Sequence, residues 1–193
     1  VIIAGSIGPA GLAFDFASPP ESRASRDSYR EQAEILEQRG VEAFIIETFP
    51  SASELRLAVE TDRETSSLPI IAQLTFAATD FEAGGEPEDL DLERVLSSFR
   101  EIAELPVQVL GVNCGMGPRE GLRLLECIPA SDRYVVSIYP NVGIPERRGG
   151  RFIYPDSSPE YFADFAVEAA RLGARVIGGC CGTTPEFIKI IKD

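Results

Sequence analysis

Short apolar runs rich in β-branched residues alternate with stretches of helical, amphipathic spacing from one end of this chain to the other. Val1–Ala4, Ala43–Glu47, Ile70–Thr75, Val107–Val112, Tyr134–Tyr139 and Arg175–Ile177 read as strands. Their near-continuous apolar character fits parallel strands covered on both faces. The intervening stretches carry helix end signals. Ser51-Ala52-Ser53-Glu54 is a capping box. Pro118, Pro159 and Pro185 suit the first helical position, with Ser158 and Thr184 as N-caps before two of them. Gly40 and Gly173 fall where helices end. Ile35, Leu36 and Val41 continue an apolar helix face that begins at Ala33. Repeated βα units leave two architectures, a (β/α)8 barrel or a doubly wound sheet. About six units are present against eight for a complete barrel, and periodicity does not choose between the two.

Size and composition narrow the function. The 193 residues show no linker, repeat or low-complexity tract and read as one domain, residues 1–193. The absence of Met at position 1 reads as a chain beginning inside a longer one. No apolar run approaches the ~18 residues that span a bilayer, and no basic leader is seen, so the expectation is a cytoplasmic protein without a membrane partner. Against 18 Lys and Arg stand 31 Asp and Glu, and a net charge of −13 repels phosphate backbones, which excludes nucleic acid. There is no histidine, which removes the usual general base, the Ser-His and Cys-His nucleophile pairs and every His metal ligand. There is no tryptophan platform either. Chemistry falls to Cys, Asp, Glu, Lys, Tyr or the backbone. The four cysteines, Cys114, Cys127, Cys180 and Cys181, read as reduced thiols.

Three of those thiols stand at strand ends. Gly111-Val112-Asn113-Cys114-Gly115 closes one strand, and Gly178-Gly179-Cys180-Cys181-Gly182-Thr183-Thr184-Pro185 closes the last. The C-terminal ends of parallel strands are where α/β enzymes assemble their sites. Three thiolates converging there make a metal site, and zinc suits soft sulfur, tetrahedral geometry and an open fourth position. The rival reading is three buried, apolar cysteines; a strained disulfide between Cys180 and Cys181 is a further alternative. Three anionic sulfurs leave the metal a weak Lewis acid towards water, so hydrolysis fits poorly. Binding a fourth thiolate fits well, because coordination strips a thiol whose free pKa is about 8.5. The expected reaction is attack of a zinc-bound substrate thiolate on an activated methyl group, with no catalytic side chain beyond the zinc site.

Asn113-Cys114 and Gly179-Cys180-Cys181-Gly182 resemble the zinc-ligand motifs of the homocysteine S-methyltransferase family. Ala4-Gly5-Ser6-Ile7-Gly8-Pro9 resembles the end of that family's third strand, Ile46-Glu47-Thr48-Phe49 its fourth and Tyr139-Pro140-Asn141-Val142-Gly143 its seventh. The segment Gly150–Pro159 with Glu160-Tyr161-Phe162 looks closest to members fused to a methylenetetrahydrofolate reductase. The resemblance implies a (β/α)8 TIM-type barrel lacking its first two βα units, with zinc as cofactor. It further implies Cys114, Cys180 and Cys181 as ligands, and homocysteine and a small-molecule methyl donor as partners. A folate or reductase domain, fused or separate, is a further partner it implies. Glu47 would hold the homocysteine amino group, with Asn113 beside the zinc as a substrate-binding residue. Two departures stand against it. The Asp-Gly turn that lines the family's homocysteine pocket belongs to the absent units, and Phe187 stands where the family often has His. The alternative to a methyltransferase is a non-catalytic, zinc-binding or incompletely folded fragment of one.

The remaining features have plainer readings. Cys127, among Leu124, Leu125 and Ile128, reads as core. Gly5–Gly11 lacks both the P-loop Lys-Ser/Thr and dinucleotide spacing, so a structural turn is expected. Pro140–Ser157, with Arg147, Arg148 and Arg151, is long for a βα loop and reads as a lid or a solvated basic turn. Glu82–Glu93 reads as a solvated loop leading into a helix start.

Overall fold

A computed structural model describes residues 1–10, 23–76, 92–129, 131–143, 146–154 and 158–192. Six βα units follow one another. The strands are β1 (Ala4–Ile7), β2 (Ala43–Phe49), β3 (Ile70–Leu74), β4 (Val109–Asn113), β5 (Val135–Tyr139) and, after a small hairpin, β8 (Ala174–Ile177). The hairpin is β6 (Glu146–Arg148) paired antiparallel with β7 (Arg151–Ile153). Helices α1 (Arg23–Gln38), α2 (Ala52–Thr65), α3 (Leu92–Ile102), α4 (Pro118–Cys127), α5 (Pro159–Arg171) and α6 (Pro185–Lys192) fill the gaps.

The sheet order is β1-β2-β3-β4-β5-β8, every pair parallel. Strand order that follows chain order separates the two architectures left open by periodicity. A doubly wound sheet reverses direction at a switch point and places helices on both faces, whereas a barrel wall keeps adding on one side. Each helix packs on the next, from α1 through α6, in one layer. The wall is therefore that of a (β/α)8 barrel, six strands long, with β1 and β8 as its edges among the described residues.

Apolar burial between sheet and helices holds the wall together. In α1, Ser25, Tyr29 and Ala33 are buried at four-residue spacing, and Leu36 extends the stripe against the core. Phe44, Ile46, Leu55, Phe99, Leu110 and Phe162 are fully buried in the same cluster. On the sheet's other face Gln73, Gly111 and Ser137 lie in register on adjacent strands. Gln73 Nε2 donates to Ser137 Oγ at 2.9 Å across the bare glycine between them.

Most helix signals are realised. Ser51 and Ser158 cap α2 and α5, each accepting from the amide three residues on. Pro118, Pro159 and Pro185 open their helices. Gly40 and Gly173 follow helix ends at φ 86° and 103°, in the left-handed region glycine allows. Cys127 and Phe187 are buried, the latter edge-on to Phe162.

Four expectations are corrected. The first strand is Ala4–Ile7, not Val1–Ala4: Val1, Ile2 and Ile3 are exposed, and the ladder starts only where Ala43 lies opposite Ala4. Ile35 is 48% exposed, because two residues beyond Ala33 a helix has turned about 200°, away from the core. The capping box is half formed, since the Glu54 carboxyl turns inward to accept from Tyr29 Oη at 2.7 Å. The Thr184 hydroxyl donates to the Glu186 carboxylate. Residues 11–22, 77–91, 130, 144–145, 155–157 and 193 lie outside the described residues, and with them Gly11, most of the acidic stretch and parts of the long loop.

Candidate metal centre

All the strands of the wall point the same way, so their C-terminal ends form one rim. Ser6 comes from β1, Glu47 and Thr48 from β2, Asn113 and Cys114 from the end of β4, Asn141 from beyond β5, and Cys180 and Cys181 from beyond β8. The Sγ atoms of Cys114, Cys180 and Cys181 lie within 4.8 Å of one another, and Cys114 Sγ and Cys181 Sγ are 3.7 Å apart. Backbone bonds hold this convergence. Cys114 N donates to Tyr139 O (2.9 Å), Cys180 N to Pro140 O (2.8 Å) and Val142 N to Cys181 O (3.2 Å). Cys114 itself has φ 54°, a left-handed conformation uncommon for a residue with a side chain.

The expected residue Glu47 sits at a β-bulge. Between the pairs Ile46–Ala72 and Phe49–Leu74, β2 carries one residue more than β3. Bulges re-aim side chains, and here the extra residue leaves Thr48 at φ 65°. Both Glu47 oxygens are taken by neutral donors: Ser6 Oγ donates to Oε1 at 2.6 Å and Asn113 Nδ2 to Oε2 at 3.0 Å. Among the described residues Glu47 has no Lys or Arg partner.

Asn113, completely buried, fastens the centre together. Its Oδ1 accepts from Thr48 N (2.8 Å); its Nδ2 donates to Thr48 Oγ1 (2.7 Å) and to Cys180 Sγ (3.9 Å) as well as to Glu47. Four hydrogen bonds to three residues, two on β2 and one in the loop after β8, explain why an amide side chain is buried there. Asn141 plays a similar part on the other side: its Oδ1 accepts from Cys181 N at 3.1 Å, and its side chain adds to the effects that hold the Cys114 thiol down. Sequence reasoning quoted Ser6, Thr48 and Asn141 inside motifs without giving them a role, and passed over Tyr154. Asn141 had a signal, an amide two residues past a strand; the others depend on bulge and hairpin geometry.

The electrostatics are those of crowded thiols. Cys114 is held down at about 6, chiefly by the hydrogen bond from Cys180, against the opposing effect of burial. Cys180 is pushed up, chiefly as donor in that bond, and Cys181 is pushed up by burial and then by the charge on Cys114. One proton therefore leaves readily while the other two are retained. All three leave together only when a cation neutralises the sulfurs. Close soft donors of this kind fit a thiophilic divalent ion, which takes a fourth ligand when a protein supplies three sulfurs. Tyr139 and Tyr154 border the centre. Each is pushed up to about 12, by burial first, with Glu47 adding to it at Tyr139 and Cys181 at Tyr154. Of the loop arginines, Arg148 pairs with Glu146 and Arg151 is exposed; the side chain of Arg147 lies outside the described atoms.

Sequential parallel βα units define an α/β barrel wall whose C-terminal rim carries three close thiols that could hold a metal ion. The family model described as homocysteine S-methyltransferase matches residues 1–193, and the chain belongs to that family. It is 29% identical over 195 residues to the methionine synthases of Mycobacterium leprae and Mycobacterium tuberculosis, covering 97% of this chain. It spans 15% of the length of those two proteins. Among solved structures, the homocysteine methyltransferase MmuM of Escherichia coli superposes over the whole chain. Its apo form gives a TM-score of 0.70 at 24% identity and its metallated form 0.68. The chain corresponds to 62% and 60% of those two chains, and at this identity the likeness is one of fold.

Proposed function

We propose that residues 1–193 form the homocysteine-binding domain of a methyltransferase that places a methyl group on the thiol of homocysteine, giving methionine. The observation that carries this reading is the convergence of Cys114, Cys180 and Cys181 within 4.8 Å. Family membership, and relatives named methionine synthase, support it.

The three cysteines would hold zinc. When bound, zinc would supply the charge that draws the proton from a thiol at neutral pH, which a chain without histidine needs. The chain's own residues bind and orient. Glu47, steered by Ser6 and Asn113, offers its carboxylate to the ammonium of homocysteine. Asn113 joins that carboxylate to Cys180, so the amine and thiol subsites keep a set spacing. Asn141 orients the Cys181 loop by accepting from its amide. The methyl comes from an activated small-molecule donor, and a folate or reductase domain, fused or separate, is the partner that fits such a donor. Four unpaired cysteines suit the reducing cytoplasm, and no helix among the described residues is long and apolar enough to cross a membrane.

A non-catalytic, zinc-binding fragment is the second reading, favoured by the six strands of the wall against the eight of a closed barrel. Metal stoichiometry with and without homocysteine, repeated with cobalt as an optical reporter, separates the two. A single metal per chain whose thiolate band shifts on adding homocysteine supports the methyltransferase; metal without a shift supports the fragment. Ser at Cys114, Cys180 or Cys181 should abolish metal retention while Cys127→Ser leaves it intact. Full retention by Cys181→Ser refutes the ligand assignment.

A further inference from the structure

The wall ends in two edges, β1 and β8, each paired on one side only among the described residues. Exposed large apolar residues gather at both ends: Ile2, Ile3 and Ile35 at the β1 end, Val167 and Ile188 at the β8 end. At the β8 end they belong to a groove of about 680 Å³, lined by Val167 and Ala170 of α5, Ile177 of β8, and Ile188, Ile191 and Lys192 of α6. The groove continues the apolar layer between sheet and helices, since Ile177 and Ile191 pack against the core cluster. At the other end, Arg26 and Arg30 of α1 reach Glu64 of α2 at 3.7 and 2.8 Å, which fixes the side of α1 that faces its neighbour. Ile35 falls about half a turn round the helix from Arg26, on the side away from α2. Unpaired sheet edges beside exposed apolar surface mark places where another chain docks.

We infer that the β8–α6 end of one copy of this chain takes the β1–α1 end of a second copy, with β1 parallel to β8 and α1 beside α6 at the groove. The inference does not depend on the metal-centre reading. A barrel wall grows by adding a parallel strand and then a helix beyond its last unit. In this chain β1–α1 is the unit of that kind with an open side to offer. Its strand turns Gly5 towards Leu36 of α1 and buries Ile7, so the apolar layer would run on across the junction. Charge agrees with this order. Consecutive βα units set their helices parallel, which brings the last turns of α1 and α6 side by side. Beyond Arg30, α1 carries Glu31, Glu34 and Glu37 and no cation, whereas α6 ends with Lys189 and Lys192. The contact joins unlike ends, so it is heterologous: each copy offers one surface of each kind, and association passes beyond the dimer unless a ring closes.

The test is sedimentation equilibrium of the chain over a range of concentrations, together with Ile35→Lys at one end and Ile188→Lys at the other. Both side chains are exposed in the single copy, so the variants should keep the parent's urea midpoint. The parent should show an average mass that rises with concentration above that of one chain. Each variant alone should need at least about tenfold higher concentration to associate, since an unpaired charge then lies in an apolar contact. Mixed together, the two variants should recover a 1:1 dimer and go no further, because one keeps an intact β8–α6 end and the other an intact β1–α1 end. A parent that stays monomeric to about 0.1 mM, a concentration at which even weak specific contacts form, overturns the inference and leaves the two edges to strands of another polypeptide. Association that is unchanged in both variants, or variants that fail to complement each other, overturns the joining of unlike ends.

Discussion

Asp62 gives the sharpest stability test in the molecule. It lies in α2, 1% exposed, and neither carboxylate oxygen has a hydrogen-bond partner among the described residues. Its neighbour Arg63 directs its guanidinium to the Pro106 and Leu68 carbonyls and to Gln108 Oε1. Burial pushes the Asp62 carboxyl up from 3.8 to about 7, with Arg63 opposing and Glu37 adding to the rise. Below pH 3.8 the folded and unfolded chains both carry the proton, and the group contributes no pH dependence. Between there and about 7 the unfolded chain ionises while the folded one keeps its proton, so stability falls as pH rises, and above that the loss is complete. Carried through the linkage relation, the loss between about pH 5 and about pH 8 is roughly 2.5 kcal/mol. Asp62→Asn removes the titration while keeping the backbone carbonyl that accepts from Ser66 N and Thr65 Oγ1. Urea unfolding of parent and variant at the two pH values measures the difference directly. The variant should gain about 2.5 kcal/mol on the parent between them. A difference between the two proteins that stays constant with pH refutes the argument, whatever its absolute size.

Further outcomes follow from particular contacts. Gly111→Ala places a Cβ 1.9 Å from Ser137 O and 2.3 Å from Ser137 Oγ, forcing β4 from β5 and breaking the Gln73–Ser137 bond. A destabilisation of about 3 kcal/mol or more is expected by thermal or urea melting. Tyr29→Phe leaves the buried Glu54 carboxyl without the hydroxyl that serves it and should cost about 2 kcal/mol in the same assay, with metal retention unchanged. Ser51→Ala removes the cap of α2, and about 1 kcal/mol of stability should go with it. Thr48→Val keeps the size of the side chain but loses the oxygen that accepts from Asn113, and a β-branched residue at φ 65° stays strained. Homocysteine binding should weaken several-fold by calorimetry, while metal content holds.

Much of the wall was legible because it rests on local patterns. Apolar runs and four-residue helix spacing are set by which side chains must leave water, and caps, N1 prolines and C-terminal glycines are set by backbone groups within one turn. Errors came where local pattern and tertiary cover disagree. Val1–Ile3 is apolar but has nothing over it, and Ile35 is apolar but turned outward. Glu54 had the spacing to reach back to its own cap, yet a hydroxyl from another helix offered a better partner inside the core.

For the site, the sequence by itself determined the donor set: no histidine, and three cysteines at the ends of two strands beside glycines that permit tight turns. It could not determine that those ends meet. Cys114 and Cys180 are 66 residues apart in the chain and come together because β4 and β8 stand on either side of β5 in one parallel sheet. Strand order is a property of long-range pairing, and periodicity carries no information about it. The same holds for the groups that orient the sulfurs. Asn113 reaches Glu47 only because a bulge in β2 turns that carboxylate towards it, and the Tyr154 ring lies on Gly182 only because the chain after the hairpin folds back over it. Composition names the atoms that can bind a soft cation, and tertiary packing, which sets their distances and brings Asn113 against the Cys180 sulfur, gathers them at one place.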